Sequence, residues 1–489
     1  MKKTFFITTP IFYPNANLHL GHAYTSTVCD VMARYHRIAG DETYFLTGSD
    51  ENTEKVVRAA RAAGKDAGTY LDEININFKN LFSKLGISYD QFIRTTDEKS
   101  HWPGVVEIWK RLAAQGDLEK RSYKGLYCVG HEAFITEKEL IGGKCPDHNE
   151  SPQILEEENY FFKLSKYTGA IKEKIESGEL KVVPESRRNE ILALLERGLE
   201  DVSFSRPADK VSVGIPVPGD PSQKIYVWAD ALTNYISALG FGRKDDALYK
   251  KFWDNPDAET IHVIGKDILR FHAAIWPGML LSAGLPLPKT ILVHGFITSG
   301  GKKMSKTLGN IIDPLELINE YGGEAVRYYL ARHISLFEDG DITHESFKEA
   351  YNGNLANGLG NLVSRILKMA ATNDVEITDE IKIKTAKEKS AGDMHKRQEQ
   401  ALKNFDIKEA VDVVWNYVSL TDEFIQKEAP FKKLKTNKES ALENMGLLLG
   451  RLEIIAVTLQ PFMPDTAKEI QRLIRENKMP EKPLFPRKD

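Results

Sequence analysis

The feature that most constrains this chain is an alternation of short apolar runs with amphipathic helical stretches, which begins at the N-terminus, stops, and resumes after a long interruption. Thr4–Thr9 reads as a strand, Ala23–Ala39 as a helix and Thr43–Thr47 as a second strand, with helical patterns over Glu54–Leu85 and Trp102–Gln115. The rhythm returns with Ile225–Trp228 and Thr260–Ile264 as strands, Ala231–Leu239 and Ile268–Ala283 as helices, and Ile291–His294 as another strand. Strand–helix alternation implies an α/β fold built on a doubly wound parallel, Rossmann-like sheet. Between Asp117 and Gln223 the pattern changes to short strands, Gly142-Gly143, a Cys/His cluster, a helical piece over Arg188–Glu200 and a return rich in Pro216, Pro218, Gly219 and Pro221. That segment reads as a connective domain inserted into the sheet domain. From Ser346 onward only helical periodicity remains, broken at Pro430, Pro461 and Pro464, which predicts a C-terminal α-helical bundle. The expected division is 1–116 and 224–295 for the two halves of the sheet domain, 117–223 for the insertion, 296–345 for a lysine-rich loop region and 346–489 for the bundle. Residues 478–489, charged and proline-rich, are expected to form a surface tail.

Composition excludes several alternatives. A chain of 489 residues exceeds one compact core and predicts several domains. No run approaches the roughly 18 apolar residues of a membrane span, and the short apolar stretch after Lys2-Lys3 is followed by no small-residue cleavage site, so it reads as a first buried strand rather than a leader. Three cysteines rule out a disulfide framework and fit a reducing cytoplasm. The net charge of −4 argues against a generally basic nucleic-acid surface, so any RNA contact must rest on local patches.

Two segments carry chemistry. The first, Tyr13-Pro14-Asn15-Ala16-Asn17-Leu18-His19-Leu20-Gly21-His22, lies between the first strand and the first helix. In a parallel sheet the carboxyl ends of strands and the N-termini of helices form the ligand crevice, and backbone N–H groups there meet phosphate. His19 and His22 could hydrogen-bond phosphate oxygens, and Gly21 lets a flat purine approach; by itself the short pattern fits a plain loop equally well. The second is Phe296-Ile297-Thr298-Ser299-Gly300-Gly301-Lys302-Lys303-Met304-Ser305-Lys306-Thr307. A glycine turn followed by lysines makes a cationic loop able to clamp a triphosphate as charge builds on the α-phosphate, or simply a solvated hairpin.

Together these segments resemble the paired signatures of the class I aminoacyl-tRNA synthetases: His19-Leu20-Gly21-His22 for one, Lys303–Thr307 for the other. The resemblance narrows to the methionine branch through Thr8–Asn15, Tyr226-Val227-Trp228-Ala229-Asp230-Ala231, and Gly265-Lys266-Asp267-Ile268 with Phe271-His272 and Trp276-Pro277. It implies a ligase that converts methionine and ATP to methionyl-adenylate and pyrophosphate, then transfers methionine to the terminal adenosine of tRNA(Met), with Mg²⁺ accompanying ATP. It implies a methionine pocket of Pro10, Ile11, Tyr13, Trp228, Ala231, Leu232, Tyr235, Ile268, His272 and Trp276, with Asp50 holding the substrate ammonium. Such apolar and aromatic side chains suit a flexible thioether. ATP would meet His19, Gly21, His22, Gly265, Asp267, His294, Lys303 and Lys306, of which His19, His22, Lys303 and Lys306 would stabilise the transition state.

Cys128-Val129-Gly130-His131 and Cys145-Pro146-Asp147-His148 form two C-x₂-H pairs, chemically competent for one tetrahedral structural zinc or for a knuckle that keeps its shape without metal. His131 stands where the resembling enzymes often have cysteine. In the helical third, Asn361-Leu362-Val363-Ser364-Arg365 resembles the family's anticodon-reading helix, with Asn361 and Arg365 on one face, and Phe431 follows Pro430 where the family usually has Trp. Asn52-Thr53 replaces a common His-Gly, and Thr307 a final Ser. The resemblance is to the bacterial type without the appended tRNA-binding module, which predicts a monomer. A non-catalytic tRNA-binding paralogue is the competing reading; its usual sign, loss of the histidines or lysines, is absent.

Overall fold

The computed structural model describes residues 2–128, 133–135, 137, 140–146, 149–304 and 310–489, apart from the side chains of Ala133, Phe134 and Lys303. The chain opens with β1 (Thr4–Thr8), α1 (Leu20–Ile38), β2 (Glu42–Ser49), α2 (Glu54–Ala62), α3 (Ala67–Lys84), β3 (Gln91–Arg94) and α4 (Trp102–Ala114). It continues through β4 (Leu118–Cys128), β5 (Ala133–Ile135), β6 (Gln153–Phe162), α5 (Thr168–Glu176), β7 (Lys181–Val183) and α6 (Glu185–Glu196). Then come β8 (Val202–Ser203), β9 (Ser205–Pro207), β10 (Pro216–Val217), β11 (Asp220–Ile225), α7 (Val227–Leu232), α8 (Asn234–Ser237), α9 (Ala247–Phe252), β12 (Ala258–Gly265), α10 (Trp276–Ser282) and β13 (Thr290–His294). The last part holds β14 (Ile297–Ser299), β15 (Lys302–Lys303), α11 (Pro314–Tyr321), α12 (Gly323–His333), β16 (Gly340–Asp341) and α13 (His344–Ala350). It ends with α14 (Asn361–Thr372), α15 (Asp379–Ala386), α16 (Lys389–Lys403), α17 (Ile407–Glu428), α18 (Pro430–Lys433), α19 (Lys438–Leu459) and α20 (Pro464–Glu476). Among the described residues no helix is long and apolar enough to cross a membrane.

Contacts divide the chain into two units, one of Met1–Leu18, His36–Asn80 and Ser88–His294, the other of His19–Tyr35, Leu81–Ile87 and Gly295–Asp489. In the first unit a six-stranded sheet runs in the order β3-β2-β1-β12-β13-β7, every pair parallel. Phe5, Phe6 and Ile7 of β1, Ile261, Val263 and Ile264 of β12, and Ile291, Leu292 and Val293 of β13 are buried. Strands apolar on both faces are what a sheet covered on both faces requires. Strand order reverses at β1, which has β2 on one side and β12 on the other, and a ligand crevice forms outside the carboxyl ends at such a point.

The segment read as one insertion contains two antiparallel sheets, β5-β4-β6-β8 and β10-β11-β9. Strands β4 and β6 pair from Leu118–Phe162 to Tyr127–Gln153. Strand β7, within the same bounds, is instead the edge of the central sheet, pairing Lys181–Val183 with Thr290–Leu292. It is three residues long, too short for a periodicity to register.

Two expectations change in the second half of the sheet domain. Ile225–Trp228 is not a strand: β11 ends at Ile225, Tyr226 is extended, and α7 begins at Val227. The helical stretch over Ile268–Ala283 contains a π-helical turn at Phe271–Ile275, closed by the Trp276 N–H donating to the Phe271 carbonyl. Pro277 supplies the reason, since a proline inside a helix lacks its N–H and crowds the carbonyl four residues back, which widens the turn before it.

In the second unit β14 and β15 form a hairpin around Gly300 and Gly301, whose φ of +62° and +70° suit the two-residue turn that glycine makes best. The helices that follow pack through apolar stripes, among them Met445, Leu448, Leu449, Leu452, Ile455 and Leu459 of α19 with Ile470, Leu473 and Ile474 of α20. Pro430 and Pro464 stand in the first turns of α18 and α20, where a missing N–H costs nothing. The C-terminal segment is not a free tail. Phe485 is buried, the Tyr351 hydroxyl donates to the Pro486 carbonyl (2.9 Å), and the Asn352 side chain bonds both the N–H and the carbonyl of Lys488.

Candidate active site

In the first unit, residues expected at the site follow the carboxyl ends of four adjacent strands. Pro10, Ile11 and Tyr13 come after β1, Asp50 after β2, Gly265 and Asp267 at the end of β12, and His294 closes β13. Asp50 is buried; its N–H donates to the Phe12 carbonyl (2.9 Å), and Phe12 N–H to Gly48, which locks the β1 and β2 exits together. The next residue, Glu51, is buried and fixed from several sides. Its carboxylate accepts from Ser49 Oγ (2.8 Å), Asn75 Nδ2 (2.6 Å) and Arg94 Nε (2.8 Å), and from Thr96 Oγ1.

The aromatic residues expected to hold methionine pack in one apolar cluster. Tyr235, Trp276, Leu232 and Ala231 are buried, and Ile11, Tyr13, Trp228 and Ile268 pack against that cluster with part of their surface open. Trp228 stacks on Phe271 at 3.7 Å between centroids. Lys55 Nζ sits 4.4 Å over the Tyr13 ring.

Hydrogen bonds fix the protons within this cluster. His272 Nδ1 lies 3.0 Å from the Ile268 carbonyl, which can only accept, so Nδ1 carries the hydrogen. Nε2 of His272 then accepts from the Tyr235 hydroxyl at 2.7 Å. Burial lowers the His272 pKa to about 4, which keeps the ring neutral. His262 was missed by the sequence reading because it lies in an apolar strand and reads as core. The Trp276 indole, a donor only, donates to His262 Nε2 (3.3 Å). The hydrogen of His262 is therefore on Nδ1, 2.9 Å from Thr8 Oγ1. The Tyr235 ring stacks on His262 at 3.9 Å. The result is a neutral aromatic wall, backed by a second row of aromatic groups, with one hydroxyl–imidazole pair.

Gly265, Asp267 and His294 come together. A Cβ at Gly265 would stand 2.7 Å from Asp267 Oδ1 and 3.8 Å from His294 Cε1, so the glycine is what lets that carboxylate fold back over the strand end.

In the second unit, the His19 and His22 rings lie close and tilted, with centroids 3.8 Å apart. The Gly21 N–H donates to His19 Nδ1 (3.0 Å) and the His19 N–H to His22 Nδ1 (3.1 Å). An Nδ1 that accepts carries no hydrogen, so each neutral ring carries its N–H on Nε2, the form that donates to a phosphate oxygen. Gly21 is required here as well, since its Cβ would meet His19 Cε1 at 2.8 Å. In the lysine hairpin, Asp341 Oδ1 accepts from the Gly301 N–H (2.8 Å) and Thr298 Oγ1 (2.7 Å), holding the glycine turn. The Lys303 side chain and all of Lys306 lie outside the described residues.

Cys128 and Cys145 are both buried in a small cluster with Ile135, and both are free thiols. The Asn149 N–H donates to the Cys145 carbonyl (2.7 Å). His131 and His148 lie outside the described residues. Two buried sulfurs in one small cluster are donors of the kind a structural zinc takes. In the bundle, Asn361 is exposed and Arg365 half-buried on the side of α14 opposite Leu362, Val363, Ile366 and Leu367. Arg365 pairs with Asp422 on α17. Phe431, half exposed, follows the end of α17 after Ala429 turns left-handed at φ +41°.

A parallel sheet with a buried acid and a glycine-cradled carboxylate at its strand ends is the arrangement of the α/β nucleotide-binding class. Residues 5–151 and 148–367 match the family model of class I tRNA synthetases (M), and residues 382–483 match the anticodon binding domain of methionyl tRNA ligase. The methionine–tRNA ligase of Clostridium perfringens is 42% identical over 484 residues, covering 96% of this chain and 73% of that protein. That of Thermotoga maritima is 40% identical over 493 residues, covering 98% and 76%. The solved structure of Mycobacterium tuberculosis methionyl-tRNA synthetase in complex with methionyl-adenylate superposes with a TM-score of 0.90 at 34% identity, over 100% of both chains. The chain belongs to the class I tRNA synthetases, in the methionyl-tRNA ligase family.

Proposed function

We infer that the chain is a methionine–tRNA ligase that activates methionine with ATP and transfers it to tRNA(Met). The observation that carries this reading is the neutral aromatic wall of Tyr235, His272, Trp228 and Trp276, with Asp50 buried at the exit of β2 in the same unit. An apolar, polarisable pocket receives a thioether, and a carboxylate holds an ammonium by a charge-assisted hydrogen bond. In the first step a methionine carboxylate oxygen attacks the α-phosphorus of ATP, the bond to the bridging oxygen breaks, and pyrophosphate leaves with its Mg²⁺. In the second, a hydroxyl of the terminal adenosine of tRNA attacks the activated carbonyl and AMP leaves.

No covalent enzyme intermediate is needed. His19 and His22 donate Nε2–H bonds to phosphate oxygens, and Lys303 and Lys306 neutralise charge gathering on them. Gly265, Asp267 and His294 serve the nucleoside. Asn361, Arg365 and Phe431 read the anticodon by hydrogen bonding and stacking on unpaired bases, with Arg365 leaving Asp422 to do so. The low cysteine use suits a cytoplasmic enzyme.

ATP–pyrophosphate exchange with each amino acid in turn, without tRNA, tests the reading. Methionine alone should support exchange, and His22→Ala should depress it by about two orders of magnitude or more, the scale of losing a transition-state donor. Exchange with no amino acid would favour the non-catalytic paralogue. Cys128, His131, Cys145 and His148 hold one structural Zn²⁺ in this proposal. Metal analysis of the purified chain should find close to one zinc per molecule, lost in Cys145→Ser; a metal-free, equally stable wild type would refute it.

A further inference from the structure

Two residues beyond Asp50, Asn52 is buried and bridges two elements. Its Nδ2 donates to Asp230 Oδ2 at 2.8 Å and to the Thr95 carbonyl at 3.0 Å, using both amide hydrogens. The other oxygen of Asp230 is taken by His101 Nε2 at 2.5 Å. Asp230, His101 and Asn52 are all buried, so this carboxylate is solvated by protein groups alone. The backbone is tied at the same place: the N–H groups of Glu51 (2.8 Å) and Asn52 (3.3 Å) both donate to Thr95 Oγ1.

The placement of this bridge gives it a consequence. Asn52 is two residues from Asp50, and Asp230 is on α7, between Trp228 and Ala231. We propose that the Asn52–Asp230 bridge is a positioning device for methionine, fixing the distance between the loop that carries Asp50 and the helix that carries the Trp228 wall. This rests on the reading of methionine as substrate and deepens it. Neither side chain touches the reacting atoms; both act through Asp50 and Trp228. Because each amide hydrogen and each carboxylate oxygen is committed, the bridge has a single geometry, and loss of the amide leaves a buried carboxylate oxygen without that donor.

Kinetics of ATP–pyrophosphate exchange on the full chain separate this role from general stability. Asn52→Asp sets a second carboxylate against Asp230 and should raise the KM for methionine about tenfold or more while the KM for ATP stays within about twofold. Asn52→Ala is interpreted the same way if the charged variant does not fold. Asn52→His keeps one N–H at that place and should stay within about threefold of wild type, the scale of one neutral hydrogen bond. The bridge proposal is overturned if the methionine KM of the folded variants is unchanged, if both KM values rise together, or if the histidine variant is as impaired as the alanine one. Absence of exchange with methionine in the wild type overturns the functional reading and the bridge with it.

Discussion

At the scale of single residues, the site depends on which nitrogen of each histidine holds its proton. The Ile268 carbonyl settles this for His272 and the Trp276 indole for His262, and neither partner can reverse its role. Tyr235→Phe removes the hydroxyl that His272 Nε2 accepts from and leaves a buried acceptor unpaired, so the methionine KM should rise several-fold with kcat little changed. An unchanged KM would show that this pair does not shape the pocket. The same burial makes stability depend on pH. His272 has a pKa of about 4 in the fold against roughly 6.5 when unfolded. Between those values the unfolded chain binds a proton that the folded chain does not, so stability rises with pH across the window and is lost as pH falls from about 6.5 through about 4. His262, held well below its ordinary value by burial, adds in the same direction. Urea unfolding at several pH values should show this slope, and His272→Gln should flatten part of it; a mutant as steep as wild type would point to other groups.

Among elements, the β14–β15 hairpin shows what local sequence specifies well. Gly300 and Gly301 both adopt left-handed backbone that other residues reach only with strain. Replacing both with alanine should cost about 1–2 kcal/mol at each position and disorder the start of the lysine loop. The expected result is a fall in the exchange kcat with methionine binding, followed by tryptophan fluorescence, unchanged. A parallel loss of methionine binding would contradict the separate roles assigned to hairpin and pocket. Helices and strands with long regular patterns, such as α1, α4, β1, β12 and β13, were legible in the sequence because their periodicity or apolar run is sustained. The short ones were not. Ile225–Trp228 has the composition of a strand, but the chain leaves β11 at Ile225 and enters α7, a choice made by tertiary packing of Val227, Ala229 and Asp230 rather than by propensity.

On the scale of the whole chain, the second unit is assembled from segments far apart in sequence, and Arg327 shows how. It is buried and pairs with Asp30 of α1 at 2.7 Å. It also donates to the carbonyls of Phe462 (2.8 Å), Pro461 (3.0 Å) and Leu85 (3.2 Å). Asp30 is buried too and accepts from Arg34 at 2.7 Å. Arg327→Met should destabilise the chain by about 3 kcal/mol or more, because a buried carboxylate loses a paired cation and three carbonyls lose a donor. A loss below about 1 kcal/mol by urea unfolding would show that water or rearrangement replaces these bonds. Nothing in the sequence around Arg327 marks it out from any other helical arginine.

The sequence by itself determined the doubly wound sheet, the helical C-terminal part, and the family, through ordered motifs whose residue types the chemistry demands. Through the resemblance it also named Asp50, Gly265, Asp267 and His294 as candidates, and the structure sets them at strand ends, where ligands sit in a parallel sheet. Tertiary structure alone decided the edge strand β7, the docking of Phe485, the proton positions on His262 and His272, and the Asn52–Asp230–His101 bridge. The reason is physical: periodicity reports which face of an element is buried, whereas a buried polar group takes its meaning from partners that only the folded chain brings within hydrogen-bond distance.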